Sequence, residues 1–192
     1  MDGLPGEAYD LTIALKQGRE RDRLIDSLGK SLDSGYFADL FGLGVVVVPA
    51  PGHAPRRSHD QFWATLSLAE AIVEALGGEV RCYLERREMV NKAAYAEPED
   101  RPTFRTHLYT IECVGSPELF PPQRITVVDD VITRGATLAA CVYCLEQVYP
   151  NAEVRAFAAV RTLSNTIDLD CIIDPVDKGY IQIIGDSTSR MP

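Results

Sequence analysis

Four consecutive valines, Val45 to Val48, constrain this chain more than any other feature. A strand with one wet face alternates apolar and polar residues. A run with no polar position is expected in a strand buried on both faces, which is the habit of parallel sheets covered by helices. The rest of the chain supplies partners for such a strand. Arg124 to Asp130 is a second buried-strand pattern, and Val154 to Val160 reads as a further strand. Leu24, Ile25, Leu28 and Leu32 recur at helical spacing, a helix from Ser58 or His59 to about Leu76 stops at Gly77-Gly78, and another runs from Ala136 to about Tyr149. Strand-like and helix-like runs alternate, so an α/β fold is expected, with a doubly wound, mainly parallel sheet flanked by helices. Shorter strands are expected at Val80–Leu84, Thr106–Val114, Asp170–Asp174 and Tyr180–Ile184, the last followed by a frayed end. Asn91 to Arg105, charged and rich in proline, reads as an exposed loop.

The length of 192 residues suits one domain, with residues 1–40 and 174–192 available as a small appendage or hood. Lys and Arg number 19 against 28 Asp and Glu, a net charge of -9 that counts against a general nucleic-acid coat while leaving room for one local basic site. Residues 1–10 carry acids and glycines rather than a basic start and an apolar run, and Leu43–Ala50 is too short to cross a bilayer, so a cytoplasmic protein without a membrane segment is expected. The five cysteines, odd in number and scattered, suit reduced thiols better than a disulfide framework. Cys141 and Cys144 stand three apart on one predicted helix with no second pair, and read as core or boundary residues. Tyr36, Phe37 and Trp63 read as packing residues.

Chemistry concentrates in Ile125-Thr126-Val127-Val128-Asp129-Asp130-Val131-Ile132-Thr133-Arg134-Gly135-Ala136-Thr137. A buried strand is expected to end in two carboxylates, followed by a turn rich in hydroxyls and glycine that opens a helix. The first backbone N–H groups of a helix and its positive dipole end favour an anion such as phosphate. Gly135 allows close backbone approach, and Thr133 and Thr137 add hydroxyls. Asp129 and Asp130 could accept hydrogen bonds from a ribose diol, so one loop would hold both ends of a sugar phosphate.

This segment resembles the phosphoribosyl-pyrophosphate (PRPP) loop of the type I phosphoribosyltransferases. Thr126 stands where an aliphatic residue is usual, and Arg134 where Thr or Ser is commoner. The wider order, Ala14-Leu15-Lys16-Gln17-Gly18, a charged helix, Val45 to Pro51, then Arg56-Arg57 and Gln61 before a long helix, is similar to the ComF group of that superfamily, which is associated with competence and DNA uptake. The amino-terminal zinc-binding cysteine cluster of that group is missing here, and so is an Arg-x-x-Asn pattern before the central strand. The resemblance implies Mg²⁺-dependent transfer of a 5-phosphoribosyl group from PRPP to a nitrogenous base or amine, with release of pyrophosphate. It implies that Asp129 and Asp130 hold the ribose, that Thr133, Arg134, Gly135, Ala136 and Thr137 hold the 5-phosphate, and that Ala50, Pro51, Gly52 and His53, with Arg56 and Arg57, hold pyrophosphate. Lys92 and Arg105, on a lid spanning residues 91–105, would close over the leaving group, Arg86 and Arg87 being weaker candidates. No direct protein ligand to the metal is implied, Mg²⁺ being held by substrate oxygens and water. His53 is the one histidine expected near the site, and Lys178 is a weak candidate for an acceptor oxygen. Homodimers are common in the superfamily. Two other readings compete: a regulatory module that binds PRPP or a nucleotide without transfer, and a ComF-like DNA-processing component.

Overall fold

The computed structural model describes residues 35, 37–58, 61–91, 101–114, 119–162 and 178–191. The expectations for residues 9–32 and 170–174, for Tyr36 and for Lys92 fall outside them. In chain order the elements are β1 (Val45–Pro49), α1 (Ala64–Leu76), β2 (Glu79–Val80), β3 (Leu84–Arg86), α2 (Phe104–Thr110), β4 (Ile111–Cys113), β5 (Arg124–Ile132), α3 (Ala136–Val148), β6 (Glu153–Arg161), β7 (Tyr180–Ile184) and β8 (Ser187–Met191).

The valine run is an inner strand of a four-stranded sheet of order β2-β1-β5-β6, parallel throughout. Val45 pairs with Arg124, Val48 with Val127, and Ile125 with Val154. Strand alternation then divides the core in two. Val45, Val47 and Val128 face α1 and meet Leu68, Ala69, Ile72 and Leu76. Val46, Val48, Ile125 and Val127 face α3 and meet Leu138, Ala140, Cys141 and Leu145. Helices on both faces explain why these strands carry no wet side. The architecture is therefore α/β, a parallel sheet flanked by helices, compatible with a doubly wound fold.

Aromatic edges complete each layer. Phe37, Phe41 and Phe157 meet edge to face on the α1 side, and Tyr83 stacks on Tyr149 on the other. Thr126 is the polar exception in β5. Its hydroxyl donates to the Leu40 carbonyl, which satisfies it inside the core. Cys141 is buried and Cys144 half-buried, in agreement with their reading as core and boundary residues.

Four expectations need correction. The helix ahead of Gly77 begins at Ala64, not at Ser58 or His59. Trp63 is extended, and its indole N–H and the Thr65 hydroxyl both donate to the Ala50 carbonyl, pinning the start of α1 to the end of β1. The strand expected at Thr106–Val114 is mostly the helix α2, followed by the short β4. Thr103 caps α2 by accepting from the Thr106 N–H, and Phe104 and Leu108, four apart, pack on the α3-side core. Val80 and Leu84 belong to different sheets, because β3 leaves the parallel sheet to pair antiparallel with β4. The frayed end is a hairpin: β7 and β8 pair antiparallel around Gly185-Asp186, with Gly185 at φ 60°.

Candidate functional site

The β5–α3 segment forms the expected strand, turn and helix, but the strand runs two residues further than its sequence suggests, to Ile132. Val131 still pairs with Val160 and Ile132 with Arg161. This continuation has a consequence for the carboxylates. By the alternation of the strand Asp129 follows Ile125 and Val127 onto the α3 face, whereas Asp130 follows Thr126 and Val128 onto the α1 face; alternation ends at Ile132, which packs against the α3-side core. The Asp130 backbone N–H donates to Asp129 Oδ1 at 2.9 Å.

Gly135, with φ 84° and ψ 11°, ends the turn as the N-cap of α3, with no side-chain cap on the first N–H groups of the helix. Only a residue tolerant of the left-handed region fits there. A Cβ on Gly135 would lie 2.7 Å from Ile181 Cδ1 and 2.9 Å from Cγ1, so the β7–β8 hairpin rests directly on this glycine.

These elements enclose a cavity of about 230 Å³. Its wall is Asp129 and residues 131–138 on one side, Arg101–Thr103 and His107 on a second, and Asp186–Thr188 of the hairpin on the third. The structure thus brings together Asp129, Thr133, Arg134, Gly135, Ala136 and Thr137. Asp130 does not line the cavity, in line with its place on the other face.

The groups expected to bind pyrophosphate lie outside the cavity. The Ala50 N–H donates to the Val128 carbonyl at 2.8 Å and its carbonyl accepts from Trp63 and Thr65, so Ala50 serves the sheet and has no N–H to offer an anion. Pro51 is buried, whereas Gly52 and His53 are exposed. The His53 carbonyl accepts from the Val90 N–H at 2.8 Å. Arg56 lies over the Trp63 ring, 4.9 Å from its centroid, as a cation–π contact. The Arg57 N–H donates to Gln61 Oε1. Arg105 is not a loop residue: it lies in the first turn of α2, and its Nε pairs with Asp186 Oδ1 at 2.9 Å, joining α2 to the hairpin tip. Lys178 pairs with Asp39 and does not line the cavity.

The sequence gives Arg86 only a weak lid role and does not single out His107. Arg86, read there as a weak lid residue, is 6 % exposed, and His107 is 5 % exposed. Arg86 Nε donates to the Gly52 carbonyl at 2.8 Å, and Nη1 donates to Thr110 Oγ1 at 2.6 Å and to His107 Nδ1 at 3.2 Å. His107 Nε2 in turn stands 3.3 Å from Thr137 Oγ1. One buried chain of polar groups therefore runs from the loop after β1 to the start of α3. Among the described residues, the histidine in the cavity wall is His107, not His53.

Burial of His107, with the adjacent Arg86 cation as the second cause, pushes the imidazole down to about 4. Burial likewise lowers Arg86, opposed by the negative charge of Asp129 among others. His107 is thus neutral in the native protein at pH 7, and the unfolded chain binds more protons between pH 4 and 6.5. Its contribution to stability is complete above pH 6.5 and falls away as the pH drops toward 4. Comparing urea unfolding at pH 7 and pH 5, His107→Gln should remove about 2 kcal/mol of the acid sensitivity of the wild-type protein. An unchanged pH dependence in that variant would contradict the neutral buried imidazole.

No protein-family model matches the chain, and no curated protein matches it. Among the described residues, no helix is long and apolar enough to cross a membrane, and no group of three or more His, Cys, Asp or Glu is placed to hold a metal ion.

Proposed function

We propose that the protein binds PRPP in the cavity at the carboxyl end of β5 and transfers its phosphoribosyl group to a nitrogenous base or amine, as a type I phosphoribosyltransferase does. The observation that carries this reading is one cavity lined by both a carboxylate, Asp129, and an uncapped helix start, Gly135 to Thr137. A sugar phosphate has that polarity, a diol that donates and a dianion that accepts. The position supports it too. β1 and β5 are neighbours whose following connections lead to opposite sides, to β2 and to β6, and doubly wound sheets bind ligands beyond the carboxyl ends of strands at such a switch point.

In this reading the backbone N–H groups after Gly135 and the hydroxyls of Thr133 and Thr137 hold the 5-phosphate, and Asp129 orients the ribose. Positioning and electrostatics carry the reaction, the protein supplying no nucleophile. A Mg²⁺ would arrive with PRPP, with Asp129 and Asp186 in the cavity wall, and would supply neutralisation of charge on the departing pyrophosphate. The hairpin stands where a hood is expected, with Asp186–Thr188 in the cavity wall.

Calorimetric titration with PRPP and Mg²⁺ tests the site. Asp129→Asn should weaken binding by about tenfold or more, the loss of a charge-assisted hydrogen bond, and Asp130→Asn by clearly less. The reverse order would move the ribose to the α1 face, and no binding by the wild-type protein would end the reading. A second reading, a sensor that binds without transfer, draws on the cavity's size. About 230 Å³ lies below the roughly 300–1,000 Å³ of ordinary ligand clefts and leaves little room for an acceptor beside PRPP. Pyrophosphate release on adding bases or amines separates the two.

A further inference from the structure

We propose that His107, locked by Arg86, is a positioning residue that makes the Thr137 hydroxyl a dedicated hydrogen-bond donor to an oxyanion in the cavity. The inference rests on the phosphate-binding part of the reading above, not on phosphoribosyl transfer.

The argument begins with what each group can do. A guanidinium has donors and no acceptor. Arg86 Nη1, 3.2 Å from His107 Nδ1, must therefore donate, and Nδ1 must be the bare nitrogen. The hydrogen of the neutral ring then sits on Nε2, which faces Thr137 Oγ1 at 3.3 Å. Thr137 receives this hydrogen and keeps its own. Among the described residues no acceptor takes the Thr137 hydroxyl hydrogen. Thr137 lines the cavity in the first turn of α3, where the backbone N–H groups also lack a side-chain cap.

The opposite tautomer would reverse the outcome. With the hydrogen on Nδ1, Arg86 and His107 would set two donors against each other, and the bare Nε2 would draw the Thr137 hydrogen away from the cavity. Arg86 is itself held from behind by the Gly52 carbonyl and by Thr110 Oγ1, so its orientation is fixed by three acceptors, one on the loop after β1 and two on α2. The arrangement favours a ligand that only accepts, a phosphate monoester or a related oxyanion, with Arg101 and Arg134 also in the cavity wall.

The test uses the full chain at pH 7.5. Long-range ¹H–¹⁵N correlation of the histidine side chains should show His107 as the Nε2–H tautomer. Calorimetry should then show that His107→Phe weakens ribose 5-phosphate by about tenfold, as expected for a lost hydrogen bond to a charged ligand. His107→Gln, whose amide can accept from Arg86 and donate to Thr137, should retain most of the affinity, and Thr137→Val should match His107→Phe. An Nδ1–H tautomer in the wild-type protein overturns the proposal without any variant having to fold. Equal affinity in the wild-type and His107→Phe proteins overturns it as well, as does binding of neither ribose 5-phosphate nor inorganic phosphate. Binding of either ion with the expected order of variants, but none of PRPP, would support the positioning role while ending the transferase reading.

Discussion

Arg86→Met should destabilise the protein by about 4 kcal/mol in urea unfolding, near the upper range for a single substitution. Methionine fills much of the same space, so the loss is not mainly one of packing. It comes from what is left behind. The Gly52 carbonyl, His107 Nδ1 and Thr110 Oγ1 all accept from this guanidinium. Thr110 retains a local use for its hydroxyl, which also donates to the Thr106 carbonyl at 2.8 Å. Gly52 and His107 each lose a charge-assisted bond, and His107 loses it inside the core. Relief of burying a cation offsets part of the cost. The same variant should raise the His107 pKa part of the way toward that of an exposed histidine, because the Arg86 charge is the smaller of its two causes and burial remains. Arg87→Met is the control, since that exposed side chain pairs with Glu112 of β4, and its unfolding midpoint should barely move. A loss in Arg86→Met as small as the control's would mean that the buried polar chain does not tie the two loops together.

Arg86 also shows what a sequence conceals. In Leu84-Glu85-Arg86-Arg87 two adjacent arginines look like solvated charge. Once β3 is known to be a strand, alternation puts Arg86 on the face of Leu84, and the two are buried while Glu85 is exposed. The signal was present, but it needed the strand assignment first. His107 was hidden differently. Thr106 to Val114 alternates in polarity, which argues for a strand, and the helix that forms instead is selected by the Thr103 cap and by packing of Phe104 and Leu108 on the core. Tertiary contact overrode the local pattern. By contrast, β1, β5 and α3 were legible, because strands buried on both faces and a helix that stops before Pro150-Asn151 leave few alternatives, and β6 was legible from its apolar run Val154 to Val160 although it is only partly buried. The turn after β5 was legible for the same reason, as a hydroxyl- and glycine-rich break between two strong signals. The partition of Asp129 and Asp130 was not, since it depends on pairing of Val131 and Ile132 with β6. The hairpin left only Gly185-Asp186 as its mark, a weak turn signal between two short runs.

That hairpin is the subject of the second large effect. Gly135→Ala should cost about 3 kcal/mol by two separable routes. A φ of 84° costs a residue with a Cβ about 1–2 kcal/mol. The remainder is collision, because the new methyl would meet three Ile181 side-chain atoms at 2.7, 2.9 and 3.2 Å. The far end of the isoleucine can swing away about χ2, but Cγ1 and Cγ2 move only with a change of χ1, which is stiff in a β-branched residue, or with the hairpin. Removing the obstacle should therefore recover the collision part and leave the backbone part. In the Ile181→Ala background Gly135→Ala should cost about 1 kcal/mol less than in the wild-type protein, a coupling that a double-mutant cycle resolves. Strict additivity would place the hairpin away from the turn, and the cavity would lose one of its walls. The expected coupling would instead bind stability to the proposed function, since the glycine proposed to let the backbone turn toward an anion is the same glycine on which the hairpin rests.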